Sequence, residues 1–197
     1  MNVMDASSVD FLREALAPTG WVERTRDFAR GLRATRSPGG LLVVGTPAEE
    51  PWHVTAHLAD EARLADLPQL APTLVRWTVP PGAPPHLRVG MDRLREARRG
   101  ETLFVVAESS APVPLLERLD DARRTGATIL ALDGDGGDPE LSGLAHDALF
   151  VPADAPVSFD GAQHLVSMAA SERGNGRGLR GRLARLLDRV SGPHVVD

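Results

Sequence analysis

Four short apolar runs rich in β-branched residues, each bounded by Gly or Pro, stand in the middle of the chain. Runs of this length and composition are typical of buried β-strands. The runs at 41–44 and 103–106 are continuously apolar rather than alternating, as expected for central strands whose sheet is covered on both faces. The pattern predicts strands at residues 41–45, 73–79, 102–107 and 128–133, with a weaker fifth strand at 148–152.

Segments with helical spacing alternate with these runs, at residues 51–66, 91–99, 113–125 and 139–146. Strand alternating with helix predicts an α/β fold, here a three-layer sandwich around a five-stranded parallel sheet. We expect residues 37–173 to form this domain. A helical region at 1–36 precedes it, and we expect this region to pack on the core or on a neighbouring subunit. Its apolar faces are supplied by Phe11, Leu12, Leu16, Phe28 and Leu32.

A glycine-rich hinge at 174–178 separates the predicted domain from a C-terminal segment ending at residue 197. Beyond the hinge, apolar residues fall on one helical stripe and arginines lie largely elsewhere, which predicts a basic amphipathic helix. Docking on its own domain or on a second subunit is favoured, and binding to a membrane surface or a partner protein stays open. The stripe consists of Leu179, Leu183, Leu186, Leu187 and Val190.

Composition narrows the classes of function. The chain has no cysteine, which excludes disulfides, thiolate nucleophiles and zinc sites built on Cys. A net charge of −5 argues against nucleic-acid binding, which needs a basic face. The sequence shows neither an apolar run long enough for a membrane span nor a secretory leader, so we expect a cytoplasmic protein. All 22 basic residues are Arg, a bias typical of high-GC bacteria such as actinomycetes.

Several segments resemble the SIS (sugar isomerase) domain of the phosphoheptose isomerase type. Residues 40–45 and 56–61 are similar to the family's first strand, loop and helix, and residues 100–109 to its second phosphate-side strand and loop. Residues 121–132 and 144–152 are similar to the elements that follow. Together these segments cover most of residues 38–171. The resemblance implies the flavodoxin-like strand order of that family.

The resemblance also implies candidate catalytic residues. In phosphoheptose isomerases, the helix after the first loop carries a His and, four residues later, a catalytic Glu, positions held here by His57 and Glu61. Gln163 matches a Gln that completes that site, whereas the family's second metal-binding His falls on Ser171. If isomerase chemistry survives, Glu61 would move a proton between adjacent carbons while His57 or a metal polarises the carbonyl.

The two phosphate loops depart from the family pattern. The first is normally rich in Gly and Ser, because a phosphate needs free amides and hydroxyls, but here it contains Thr46, Glu49, Glu50 and two prolines. Proline lacks an amide donor, and carboxylates repel a phosphate dianion. The second loop offers Glu108, Ser109 and Ser110 as candidate ligand-binding residues. Trp52, beside the first loop, could stack on a sugar ring, whereas Trp77 is interpreted as a core residue.

A metal site is a further hypothesis. His53, His57 and Glu61 are spaced four apart and would share one face of a helix, where Gln163 or His164 from the last helix could join them. A divalent ion such as zinc could bind there, although no cofactor is required by the sequence. A solvated helix face without a metal is the alternative. The glycine-rich run at 134–138 is interpreted as a turn in which Asp138 caps the next helix.

These observations favour a divergent SIS-domain protein that binds a carbohydrate derivative or other small metabolite in a regulatory or assembly role. On this interpretation it is a homo-oligomer, a dimer or tetramer, and lacks ordinary phosphosugar isomerase activity. The first alternative is an active aldose-ketose isomerase of the phosphoheptose type. The second is an oligomeric interaction protein that acts through its C-terminal helix.

Overall fold

The computed structural model describes residues 16, 19–134 and 136–172. The hinge and amphipathic helix predicted for residues 174–197 lie outside the described residues, as do Phe11 and Leu12. The chain divides into two compact units, one formed by residues 24–171 and the other by residues 1–23 and 172–197. No described helix is both long and apolar enough to cross a membrane.

Five parallel strands form a single sheet in the order β2-β1-β3-β4-β5. This order and the helices between the strands confirm the predicted α/β fold with a five-stranded parallel sheet in flavodoxin-like order. The strands are β1 (Leu41–Val44), β2 (Pro72–Val75), β3 (Thr102–Ala107), β4 (Thr128–Asp133) and β5 (Asp147–Phe150).

Six α-helices occur in the described residues, and helix α1 precedes the sheet. The helices are α1 (Trp21–Arg33), α2 (Trp52–Ala65), α3 (Asp92–Arg95), α4 (Val113–Arg124), α5 (Pro139–Leu144) and α6 (Phe159–Ala170). Two short 3₁₀ helices, Pro68–Leu70 and Pro85–Leu87, lie in the connections on either side of β2. Asp138 caps α5 by accepting from the Glu140 and Leu141 amides, as the sequence predicts.

Helices cover both faces of the sheet. On one face, Leu42, Leu103 and Ile129 join a core with α3, α4 and α5. On the other face, Phe28 of α1 packs its ring 5.8 Å from that of Phe104. Helices α2 and α6 pack against each other, and Arg33 of α1 donates to the Ala169 carbonyl of α6 at 2.5 Å. Because both faces are covered, β1 and β3 are buried at every position.

Two predicted elements extend four residues past the observed ends, more than at any other element. The strand predicted at 73–79 ends at Val75, because Arg76 makes only an isolated bridge to Gly90. The helix predicted at 91–99 is limited to Asp92–Arg95. There the amide of Arg98 donates to the Glu101 carboxylate at 2.8 Å, a local bond that competes with the helical pattern. Apolar composition alone does not reveal such side-chain contacts.

Candidate functional site

The strand order places β1 and β3 side by side at the centre of the sheet. The chain leaves β1 for α2 on one face and β3 for α4 on the other, so their two loops separate at the carboxyl edge. In open parallel sheets, this switch point is where ligands bind. The first loop follows Val44 and the second follows Ala107, and each leads into the helix that comes next.

The first loop folds tightly after β1. A Cβ added at Gly45 would lie 2.2 Å from the Glu49 carbonyl oxygen, so only glycine permits this approach. The side chain of Trp77 donates to the Gly45 carbonyl at 2.8 Å, and it packs partly buried against the core, in line with its interpretation as a core residue. Thr46 is buried. The loop is therefore held by backbone packing and by a neighbouring indole.

Arg76, which follows β2, neutralises one of the two loop carboxylates. Its guanidinium donates to Glu50 through Nε at 3.0 Å and through Nη2 at 2.9 Å. The same guanidinium lies 4.7 Å from the centre of the Trp52 ring, a cation–π contact that covers one face of the indole. Glu50 is thus paired, and Trp52 has only its other face for stacking on a ligand.

The other loop carboxyl, that of Glu49, lies near further acidic groups. Its pKa is raised, first by burial and then by the neighbouring Glu108 carboxyl, with a smaller contribution from Asp160. Glu108 lies in the second loop and Asp160 in the first turn of α6. Three elements therefore bring carboxyl groups to the carboxyl edge of the sheet, and we call Glu49, Glu108 and Asp160 the acidic cluster.

The second loop is anchored by two buried aspartates. Asp138 accepts the Ala111 amide on Oδ2 at 2.8 Å, while its own amide donates to Asp133 Oδ2 at 2.7 Å. Burial raises the pKa of the Asp133 carboxyl. Gly134 lies so close to Glu108 that an added Cβ would be 2.4 Å from the Glu108 carbonyl oxygen. These contacts fix the loop backbone, while the side chains of Ser109 and Ser110 are exposed.

Glu61 and Gln163, two residues singled out by the family resemblance, are buried between α2 and α6. The Ser171 hydroxyl donates a short hydrogen bond to Glu61 Oε2. The side-chain amide of Gln163 donates to Asp160 Oδ1 at 3.2 Å. The position where phosphoheptose isomerases carry a metal-binding His is thus held by a serine that contacts the candidate catalytic carboxylate.

Three histidines meet where α2 and α6 pack together. The rings of His53 and His57 are 4.7 Å apart, and those of His57 and His164 are 4.2 Å apart. One ring nitrogen from each residue lies within 4.8 Å of the other two, a separation compatible with a shared metal ion. We call His53, His57 and His164 the histidine cluster. In the described part of the chain, Glu61 lies outside this group.

The surroundings keep two of these imidazoles neutral. The pKa of His57 is lowered to about 4, mainly by burial and then by His164 and His53, and only Asp60 opposes the shift. The pKa of His164 is also lowered by burial and by His53, against the opposing charge of Asp160. Both groups are half-buried, whereas His53 is exposed. Neutral imidazole is the form that binds metals.

Comparisons with known proteins define the fold. No protein-family model matches the sequence, and no curated protein matches it. A candidate phosphosugar isomerase from Silicibacter pomeroyi DSS-3 matches with a TM-score of 0.54 at 19% identity, over 89% of this chain and 51% of its own. A candidate sugar-binding protein from Salmonella typhimurium LT2 matches with a TM-score of 0.52 at 16% identity, over 87% and 52%.

The chain has an SIS fold. This result confirms the fold implied by the resemblance in its segments. At these identities the likeness concerns the fold alone. The chain spans about half the length of these solved structures, at 52% and 51% of theirs.

Two residues of the site were not identified from the sequence. Asp160 was missed because it precedes Gln163 on the helix and no motif marks it, although its i,i+4 spacing to His164 places the two on one face. Arg76 was missed because it lies within the predicted strand at 73–79. The available indication was that a charged residue at the end of a buried parallel strand faces the carboxyl edge of the sheet.

Proposed function

We propose that this protein binds a carbohydrate derivative lacking phosphate, either neutral or cationic, at the carboxyl edge of its sheet, in a regulatory or assembly role. The proposal is carried by the carboxyl groups of Glu49 and Glu108, which interact across the two loops, with Asp160 nearby. Glu49 and Glu108 stand on the two loops where the SIS family resemblance implies a phosphate site, and Asp160 lies in the first turn of α6. A phosphate dianion there would meet carboxyl groups, whereas hydroxyl and ammonium groups of a sugar would find acceptors.

The helix N-termini next to the loops support the same conclusion. Helix α2 follows Pro51, and its first amide, that of Trp52, donates to the Glu50 carbonyl at 2.8 Å. Helix α4 follows Pro112, and a second proline at Pro114 further reduces its free amides. The Ala111 amide is already bonded to Asp138. Few donors therefore remain at the two positions where a helix N-terminus would hold an anion.

The contacts of Glu61 favour a role other than isomerisation. A carboxylate that moves a proton between carbons must reach the substrate. Glu61 is 4% exposed, and the Ser171 hydroxyl donates to its Oε2. This arrangement supports a protein that retains family residues in a structural role. The solved structures of similar fold include a candidate sugar-binding protein, which supports carbohydrate as the ligand class.

A binding panel tests the proposal. The full-length protein is titrated with D-glucose, D-glucosamine and glucose 6-phosphate by thermal shift and calorimetry, since a ligand that binds the native state raises the unfolding temperature. We expect stabilisation by glucosamine or glucose and none by the phosphate ester. The double substitution Glu49→Gln with Glu108→Gln should weaken glucosamine binding and reduce discrimination against phosphate. Glu117→Gln, an exposed change on α4, is the matched control.

The alternative of an active isomerase predicts the opposite pattern. Tighter binding of sugar phosphates than of neutral sugars by the wild-type protein would refute the proposal. So would turnover of a ketoheptose 7-phosphate that is lost in Glu61→Gln but retained in the Glu117→Gln control.

A further inference from the structure

We propose that His53, His57 and His164 together bind a divalent transition-metal ion of the zinc class. Two of the ligands lie one turn apart on α2, and the third comes from α6, which packs against it. Their ring centres are 4.2 to 4.7 Å apart, and one nitrogen of each ring lies within 4.8 Å of the others. Three imidazoles converging from two helices form a site that neither helix could form alone.

The ligand chemistry indicates the class of ion. Imidazole nitrogen suits zinc, copper, nickel and iron, whereas magnesium and calcium prefer oxygen ligands. Zinc bound at about 2.0–2.1 Å to tetrahedral nitrogens requires those nitrogens to be about 3.3 Å apart. The cluster must therefore contract by about 1.5 Å at most. His53 is exposed, so its ring can make this movement by side-chain rotation.

This set differs from the metal set that the family resemblance implies, which would use His57, Glu61, Gln163 and residue 171. Ser171 provides no imidazole, and its hydroxyl donates to Glu61. The side chain of Gln163 is bonded to Asp160. His53 lies one turn before His57 on α2, whereas Glu61 lies one turn after it, and the His164 ring contacts both His53 and His57, so these ligands centre on a different point from the set that the resemblance implies.

The electrostatic environment supports a cation at this point. His57 and His164 have lowered pKa values because of burial and mutual repulsion, so both present lone pairs at neutral pH. Asp60 and Asp160 supply the opposing negative field at these two imidazoles. Three imidazoles leave a fourth position for water or a ligand, as in zinc sites that are open to solvent.

Calorimetry with ZnCl₂ tests the site. The full-length protein is stripped with EDTA, desalted, and titrated with ZnCl₂ and, separately, with MgCl₂ at about pH 7.5. We expect one Zn²⁺ per chain and no heat from Mg²⁺. Changing a residue that only supports a metal ligand typically costs about 10- to 100-fold in affinity. Removing a ligand itself should reach the upper end of this range, so His57→Asn and His164→Asn should each weaken Zn²⁺ binding by about 100-fold. His86→Asn, an exposed histidine on another element, should bind as wild type.

Two further measurements separate the outcomes. Side-chain ¹⁵N NMR of the wild-type protein should show three imidazoles changing with one equivalent of Zn²⁺, which tests the site even if a variant fails to fold. Glu61→Gln should retain zinc affinity. Three results would each overturn the proposal: a loss of zinc affinity in Glu61→Gln, a loss in His86→Asn equal to that in the His57 and His164 variants, or imidazole signals that do not change when Zn²⁺ is added. A failure here leaves the carbohydrate panel unaffected, because that panel is run without metal.

Discussion

Asp138 offers a direct test of how the second loop is positioned. Its two carboxylate oxygens have separate tasks: Oδ1 accepts the Glu140 and Leu141 amides at the start of α5, and Oδ2 accepts the Ala111 amide. The substitution Asp138→Asn preserves the shape but leaves one acceptor oxygen. Either the cap or the loop contact must then be lost, since the amide nitrogen would face an N–H group.

The structure sets the size of the effect. Ala111 is buried, so an unpaired amide there costs about 1–3 kcal/mol, and bonds to a charged group contribute about 1.5–3 kcal/mol. We expect Asp138→Asn to lower the free energy of unfolding by about 2 kcal/mol. Asp138→Ala also removes the helix cap, which contributes about 1 kcal/mol, and should lose about 3–4 kcal/mol in total.

Asp133→Asn is the matched control. Asp133 is equally buried and accepts the Asp138 amide, but its raised pKa indicates that its charge is unfavourable in the folded state. Because an amide oxygen can still accept that bond, the change should cost less than about 1 kcal/mol.

Urea unfolding at neutral pH measures all three variants, compared at unchanged m-value. Hydrogen exchange at the Ala111 amide should accelerate selectively in Asp138→Asn. The reasoning is wrong if Asp138→Asn is as stable as the wild type, or if Asp133→Asn is the more damaging change.

Two other predictions concern the first loop and the histidine cluster. Gly45→Ala should lose at least about 2 kcal/mol in urea unfolding, because its Cβ would meet the Glu49 carbonyl at 2.2 Å, whereas Gly143→Ala, with open space around it, should lose nothing. Equal stability of these two variants would contradict the loop geometry. With a chelator present, the contribution of neutral His57 to the free energy of unfolding should be fully retained above pH 6.5 and lost as the pH falls towards 4. The reason is that the unfolded chain is protonated first, because folding lowers the pKa of His57 from 6.5 to about 4. Because His57 is only half-buried, this loss of unfolding free energy should be limited to about 1–2 kcal/mol. An equally steep decline in the His57→Asn variant would refute the assignment of the pH dependence to His57.

The apolar pattern was sufficient for the architecture. The mainly apolar runs 102–107 and 128–133 coincide with β3 and β4, because the interior of a strand buried on both faces is filled by apolar residues. The ends of elements were less predictable where side chains compete for backbone hydrogen bonds. The Glu101 carboxylate, for example, accepts the Arg98 amide, and α3 is shorter than predicted.

The pairing of charges could not be predicted. The sequence shows that Glu49 and Glu50 are adjacent, yet the structure pairs Glu50 with Arg76 and brings Glu49 to Glu108. The reason is that β1, β2 and β3 are adjacent in the sheet, while their loops are separated along the chain by one or two helices.

The sequence by itself therefore predicted the α/β fold from its residue pattern, and its resemblance to the SIS family predicted the strand order and the departure of two loops from that family's pattern. Only the tertiary structure decided which of the candidate residues lie together. Helical spacing predicted one metal site for His53, His57 and Glu61, with Gln163 or His164 joining them from the last helix. Packing of α2 against α6 instead buries Glu61 with Ser171 and brings His164 to His53 and His57. Helical spacing fixes the neighbours within one helix, but the residue that meets them from another helix depends on how the two helices pack.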